Sequence, residues 1–219
     1  CTTTLLSGKV RADSDEVFIF HEVVAGGGGA CWRYDGLSGI QVNMTNTSNM
    51  PIEATEIEFP QLLARKNELK EDSGGAGQFR GGLGIERELE MREDHILYTG
   101  LGDRHKIGPW GLKGGKPGKV GAFYRVYKDG HVQHLSNKVT SLSLMNGERI
   151  RVITPGAGGY GNPKCRDPQK VLQDVIEDKV SIAAAEEEYG VSISGNAYDG
   201  YQIDEIKTAI LRNKEGMKQ

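Results

Sequence analysis

The sequence predicts an α+β fold: a β-rich, antiparallel core full of glycine loops over 1–163, with a short helical C-terminal appendage over 164–219. Three observations carry this. Short β-branched or aromatic segments, many alternating with period two, recur as far as Pro163. Glycine separates them, at 31 of 219 residues, about twice ordinary usage. Beyond Pro163 the alternation stops and apolar residues fall at helical spacing.

Strands are expected at 17–24 (VFIFHEVV), 39–44 (GIQVNM), 84–91 (GIERELEM), 95–101 (HILYTGL), 122–127 (AFYRVY) and 149–154 (RIRVIT). Asp129-Gly130 between FYRVY and VQHLS predicts a hairpin. The glycines cluster at 25–30, 72–84, 108–121 and 155–163. Such runs allow positive φ and close backbone approach, so they are expected to form tight connections between strands. In the appendage, Asp167 is placed to cap a helix with Pro168 at its first position and a stripe of Val171, Leu172, Val175 and Ile176. Ser181 is placed to cap a second helix that stops at Gly190. Ile203, Ile206 and Ile210 form the stripe of a third, a surface or docking helix.

Charge is nearly balanced, 27 Lys and Arg against 30 Asp and Glu, so no global field favours nucleic acid or an anionic membrane. No apolar run is long enough to span a bilayer, and no basic-then-apolar stretch resembles a signal peptide. Cys1, Cys31 and Cys165 are odd in number and widely spaced, without a CxxC or Cys/His pairing, which fits a reducing, cytoplasmic setting. The sequons at Asn43 and Asn46 need secretion to act and are read as unmodified. A start at Cys1 is read as a fragment boundary or a split subunit, in preference to an N-terminal nucleophile.

The stretch NMTNTSNMPIEATEIEFP, 43–60, is the most polar candidate for chemistry. Ser48 or Asn49 is placed to cap a short helix with Pro51 near its start, Glu53 in its first turn and Pro60 at its end. The amides of Asn46 and Asn49 equally offer donors and acceptors to a cyclic amide or urea, and composition does not choose. Arg80 in FRGG and Arg104 in GDRH are suited to fixing a carboxylate or phosphate, or to tying loops to nearby acids. The five histidines are scattered and complete no metal set; His105, beside Arg104, is the least ordinary. Gly26–Gly29 lack the following Lys-Ser or Lys-Thr of a P-loop. Trp32 and Trp110 are expected as core or interface plugs.

NTSNMPIE, DSGGAGQFRGGLGIERE, PWGLKGGKPG, TPGAGGYGNP and YGV occur in the order and spacing of the hydantoinase B/oxoprolinase family, which the chain resembles from about Glu22 to Val191. The resemblance implies the C-terminal part of a longer subunit that works with its own upstream portion and a hydantoinase A-type, ATP-binding subunit. Together they open 5-oxoproline, N-methylhydantoin or another lactam; relatives carboxylate acetone or acetophenone, and a purely assembling role is the third reading. ATP and Mg2+ are then expected on the partner, and any divalent metal on the upstream portion; no metal ligand is assigned to this chain. Asn46, Asn49, Glu53, Arg80 and Arg104 are the expected substrate-binding residues. The resembled glycine loop more usually has glycine at 157 and aspartate at 162, where this chain has Ala157 and Asn162.

Overall fold

The computed structural model describes residues 2–11, 13–41 and 48–213. Two antiparallel sheets form the body. The first runs in the order β2 (Val17–Val24), β1 (Thr2–Lys9), β5 (Ile96–Gly102), β8 (Lys138–Leu144). The second runs β3 (Leu62–Leu69), β4 (Ile85–Met91), β9 (Arg149–Ile153), β6 (Ala122–Val126), β7 (Val132–Leu135). A short helix, α1 (Ile52–Glu58), leads into β3. The inner faces of both sheets share one core: Leu6, Phe20 and Tyr98 of the first sheet meet Met91, Phe123 and Ile150 of the second. Each such side chain, fully buried, contributes roughly 1.5–3 kcal/mol.

Period two explains the register. In β2, Phe18, Phe20, Glu22 and Val24 point inward while Val17 and Ile19 stay exposed. The odd member, Glu22, is 5% exposed and is ion-paired to Arg87, whose Nε also donates to Asn67 Oδ1 (3.1 Å). A buried charge persists only when paired in this way. On the outer face of the second sheet, Glu86 and Glu88 lie flat beneath Lys66, Lys70, Arg149 and Arg151, so their burial is by long basic side chains.

Beyond Pro163 come a 3-10 turn (Pro163–Cys165), α2 (Pro168–Ile176), α3 (Ile182–Glu187), a hairpin of β10 (Ile193–Asn196) and β11 (Gly200–Ile203), and α4 (Glu205–Asn213). Asp167 and Ser181 cap α2 and α3 as the sequence indicates. The hairpin does not follow from the helical reading: Ile203 belongs to β11, while Ile206 and Ile210 lie exposed on α4. Val171, Val175, Val180, Ala185 and Tyr189 make a second small core that also takes in Ala76. Among the described residues no helix is long and apolar enough to cross a membrane.

Candidate functional site

The glycine clusters build the site, and in a way that differs from the connecting role expected of them. Of the glycines in the four runs only Gly114 (φ 93°) and Gly161 (φ 75°) have left-handed backbone. The others lie where backbones touch. Gly82 N–H donates to the Gly28 carbonyl (2.9 Å), Ala157 N–H to Gly82 (2.9 Å), Gly75 N–H to Ala157 (2.7 Å) and Lys116 N–H to Ala76 (2.7 Å). Segments distant in sequence are thus layered main chain on main chain. A Cβ on Gly27 would lie 2.1 Å from the Gly82 oxygen, and one on Gly158 1.9 Å from the Trp110 oxygen. Side chains are excluded by the spacing itself.

One edge of this layer opens into a cleft of about 490 Å³. Its near wall is the end of β2 with the first glycine run (Val24–Gly27), its floor Thr154–Gly158, and its far wall the 103–110 loop. The volume suits a small organic ligand, and such sites combine apolar walls with a few directed polar groups. Thr154 does not face outward: its Oγ1 accepts from Ile85 N–H (2.7 Å) and so locks the floor to β4. Asn162, one of the two departures from the resembled pattern, accepts from Lys164 N–H (3.0 Å) and starts the 3-10 turn.

Arg104 stands on the far wall. Its guanidinium carbon lies 4.8 Å from the centre of the Trp110 ring, a cation–π geometry. The residue is exposed and has φ 58°, a left-handed conformation rare outside glycine and costing about 1–2 kcal/mol. Gly121 N–H donates to the Arg104 carbonyl (3.1 Å) and holds the strained turn. Among the described residues no carboxylate pairs with this guanidinium, whereas Arg65, Arg80, Arg87, Arg125, Arg149, Arg151 and Arg166 are all paired.

The other expected site residues are scattered. Asn49 Oδ1 accepts from Ala25 N–H (3.0 Å) and its Nδ2 donates to the Gly39 carbonyl (3.0 Å), tying the near wall to the 39–41 segment from behind. The next residue is pinned too, since Met50 N–H donates to Glu22 Oε1 (2.9 Å). Asn49 caps no helix; Pro51 is the N-cap residue of α1 and its side chain makes no capping bond. Glu53 is exposed in the first turn of α1, outside the cleft lining. Asn46 and the rest of 42–47 lie outside the described residues, and of the strand expected at 39–44 only Ile40 is seen to pair, in a lone bridge to Gly26. Arg80 is 3% exposed, donating to Asp174 (3.3 Å) and to the Gly81 carbonyl (2.8 Å), and does not reach the cleft. Of the four that fall among the described residues, only Arg104 lines the cleft.

Asn49 therefore yields a prediction. Asn49→Ala leaves the Ala25 N–H and Gly39 carbonyl unmatched behind the wall, and a loss of about 2–3 kcal/mol in urea unfolding is expected. A loss below about 0.5 kcal/mol would show that water replaces both bonds.

Neither tryptophan is core: Trp32 and Trp110 are 58% and 66% exposed. His105, by contrast, is wedged against Phe123 (ring centres 4.6 Å apart), so close to Gly121 that a Cβ there would meet its ring at 2.8 Å. Burial, with His134 nearby, holds its pKa below the usual histidine range, while Asp103 opposes. Sequence reading missed Trp110 as the platform for Arg104. The signal available was an exposed-loop tryptophan six residues after an arginine, in a run free of acids. Cys31 and Cys165 are free and exposed, and Cys1 lies outside the described residues. Among the described residues no three His, Cys, Asp or Glu gather as a metal site would require. Gly26–Gly29 continue into the layered loops, not into a helix N-terminus.

The comparisons with known proteins agree with this architecture. An uncharacterized protein of Methanocaldococcus jannaschii is 44% identical over 88% of this chain and 33% of its own length. The B-type subunit of a putative D-/L-hydantoinase from a Pseudomonas strain is 32% identical over 91% of this chain and 33% of its own. The crystal structure of the ATP-dependent caprolactamase from Pseudomonas jessenii superposes with a TM-score of 0.78 at 28% identity, covering 96% of this chain and 36% of that one. The chain thus spans about a third of the length of these relatives. The family model for hydantoinase B/oxoprolinase matches residues 1–163, and the chain belongs to the hydantoinase B/oxoprolinase family.

Proposed function

We propose that this chain is part of a cytoplasmic, ATP-dependent complex that opens a cyclic amide, and that the cleft beside the glycine layer seats the amide. The observation that carries the reading is the cleft itself: about 490 Å³, walled by Val24, Ile40 and Pro109, floored by Thr154–Gly158 and faced by an arginine without an acid partner among the described residues. Membership of the family and the likeness to an ATP-dependent caprolactamase support it. ATP on a hydantoinase A-type partner supplies the activation that a resonance-stabilised amide needs before water attacks it. The chain's own share is to hold the ring against the Thr154–Gly158 floor and to shield it from bulk water. The outer face of the first sheet leaves Val17, Ile19, Leu97 and Leu101 exposed, which supports an assembly with further subunits or with the upstream portion of the polypeptide. The family match ends at 163, and we read 164–219 as a brace added to the 1–163 core.

Gly29 gives a clean test. It lines the cleft, and a Cβ added there meets nothing within 4 Å, so Gly29→Leu adds bulk beside the cleft without straining the layer. In the complex reconstituted with its ATP-binding partner, ATP-dependent opening of 5-oxoproline or a hydantoin should fall at least about tenfold with unchanged assembly. Undiminished turnover would remove the cleft from the reaction, and ATP consumption that requires a ketone and bicarbonate would replace ring opening by carboxylation.

A further inference from the structure

We infer that Arg104 is a specificity-determining residue, an oxyanion clamp that makes the cleft select a ligand bearing a carboxylate or phosphoryl group over its neutral analogue. This rests on the reading of the cleft as the amide seat. Four observations converge. Arg104 lines the cleft and has no acid partner among the described residues, in a molecule where most other arginines are neutralised. Its backbone is held at φ 58°, strain that persists only where surrounding structure enforces it, here through the bond from Gly121 N–H. The Trp110 face beneath the guanidinium limits its rotamers, and this side chain keeps its edge N–H groups, the ones that fork onto an oxyanion, clear of the ring. The loop from 103 to 121 also carries Lys106, Lys113, Lys116 and Lys119 against a single acid, Asp103, although the whole chain has an acidic excess.

The lysines bear on capture and Arg104 on discrimination. Lys106 and Lys113 are exposed and make no ion pair among the described residues, so they add positive potential to the loop that draws anions at low salt, whereas Lys116 and Lys119 line a second cavity with Asp72, Glu187 and Glu188. A lysine would give the same charge at position 104 but not the planar fork, nor the same stacking on Trp110. A neutral lactam leaves the clamp empty. Its ring meets the same walls, so affinity should drop by the worth of one charge-assisted contact, about tenfold or more.

The test uses the assembled complex without ATP, titrated calorimetrically with 5-oxoproline, with 2-pyrrolidinone (the same ring without the carboxylate) and with inorganic phosphate. Arg104→Asn is the variant of choice, because asparagine tolerates left-handed backbone and the fold is spared; Arg104→Lys keeps the charge alone. The expected result is that 5-oxoproline binds at least about tenfold more tightly than 2-pyrrolidinone, that Arg104→Asn erases the difference and that Arg104→Lys only partly restores it. If the two rings bind alike but phosphate binds in an Arg104-dependent way, the clamp stands and its oxyanion is a phosphoryl group. If the two rings bind alike and phosphate does not depend on Arg104, the clamp falls and the amide seat survives. Arg104-dependent phosphate binding with no binding of either ring overturns the amide seat instead, and no binding of any probe overturns both.

Discussion

Replacing Gly156 by alanine should abolish the fold. The added Cβ would lie 1.8 Å from the Ser73 carbonyl oxygen and 2.3 Å from its carbon, where ordinary contact begins near 3.4 Å. Both atoms are main chain, so no side chain can swing aside. Ser73 cannot yield either: it is 2% exposed, its Oγ donates to the Lys70 carbonyl (2.6 Å) and accepts from Gly84 N–H (3.0 Å), and its carbonyl accepts from Lys119 N–H (2.8 Å). Relief requires two layers to part by more than an ångström, which also breaks the neighbouring bond from Gly75 to Ala157. Overpacking alone costs about 1–3 kcal/mol. With the lost hydrogen bonds the total exceeds about 4 kcal/mol, a large part of the stability of any domain. Gly156→Ala is therefore expected in the insoluble fraction or without a cooperative thermal transition. Gly29→Ala, with open space around its Cβ, should stay within about 0.5 kcal/mol of the parent. Equal stability of the two variants would mean that the glycine layers are not in contact.

That contrast shows what the sequence could and could not disclose. The positions of the glycine runs were plain, and so were β2, β4, β5, β6 and β9, whose apolar residues alternate or cluster between them. Besides the β10–β11 hairpin, three strands of the two large sheets escaped notice for physical reasons. β1, TTTLLSGK, has its inner face made largely of threonines, and β3, LLARKNEL, pairs through long charged side chains with β4. β8, KVTSLSL, keeps most of its residues exposed. Which glycines turn and which merely touch is a tertiary fact, because the partner of each lies in another run. The same limit separates Arg80 from Arg104. Both sit in glycine-flanked loops, but the acids that claim Arg80 are 45 and 94 residues away, Asp35 on its backbone N–H and Asp174 on its Nε. No local pattern distinguishes a guanidinium already claimed from one left open.

Arg166 is the centre of that hidden network, and its loss should be costly. It is 2% exposed and donates to both oxygens of Asp35 (2.7 and 2.8 Å), to Asp174 Oδ2 (2.7 Å) and to the Gln78 carbonyl (3.2 Å). Its own carbonyl accepts from Arg212 of α4 (2.8 Å), so one residue joins the glycine layer, α2 and α4. Removing one member of a buried pair costs about 3–5 kcal/mol, since the other charge is left without compensation. Here Asp174 keeps Arg80 and Asp35 keeps the Arg80 N–H, which places Arg166→Ala near the lower end, about 3 kcal/mol. Burial raises the Asp35 pKa, but the hydrogen bonds and charge of Arg166, helped by Arg80, outweigh it and hold the group below its ordinary 3.8. A carboxylate depressed in the folded state lends its stability above the unfolded value and loses it as pH falls through the folded one. The gap between the parent and Arg166→Ala in urea midpoint should accordingly be full at neutral pH and narrow once pH drops below about 3.8. A gap that stayed constant into acid would assign the loss to packing of the guanidinium stem, and the ion network would then contribute little to joining the helices to the layer that forms the cleft floor.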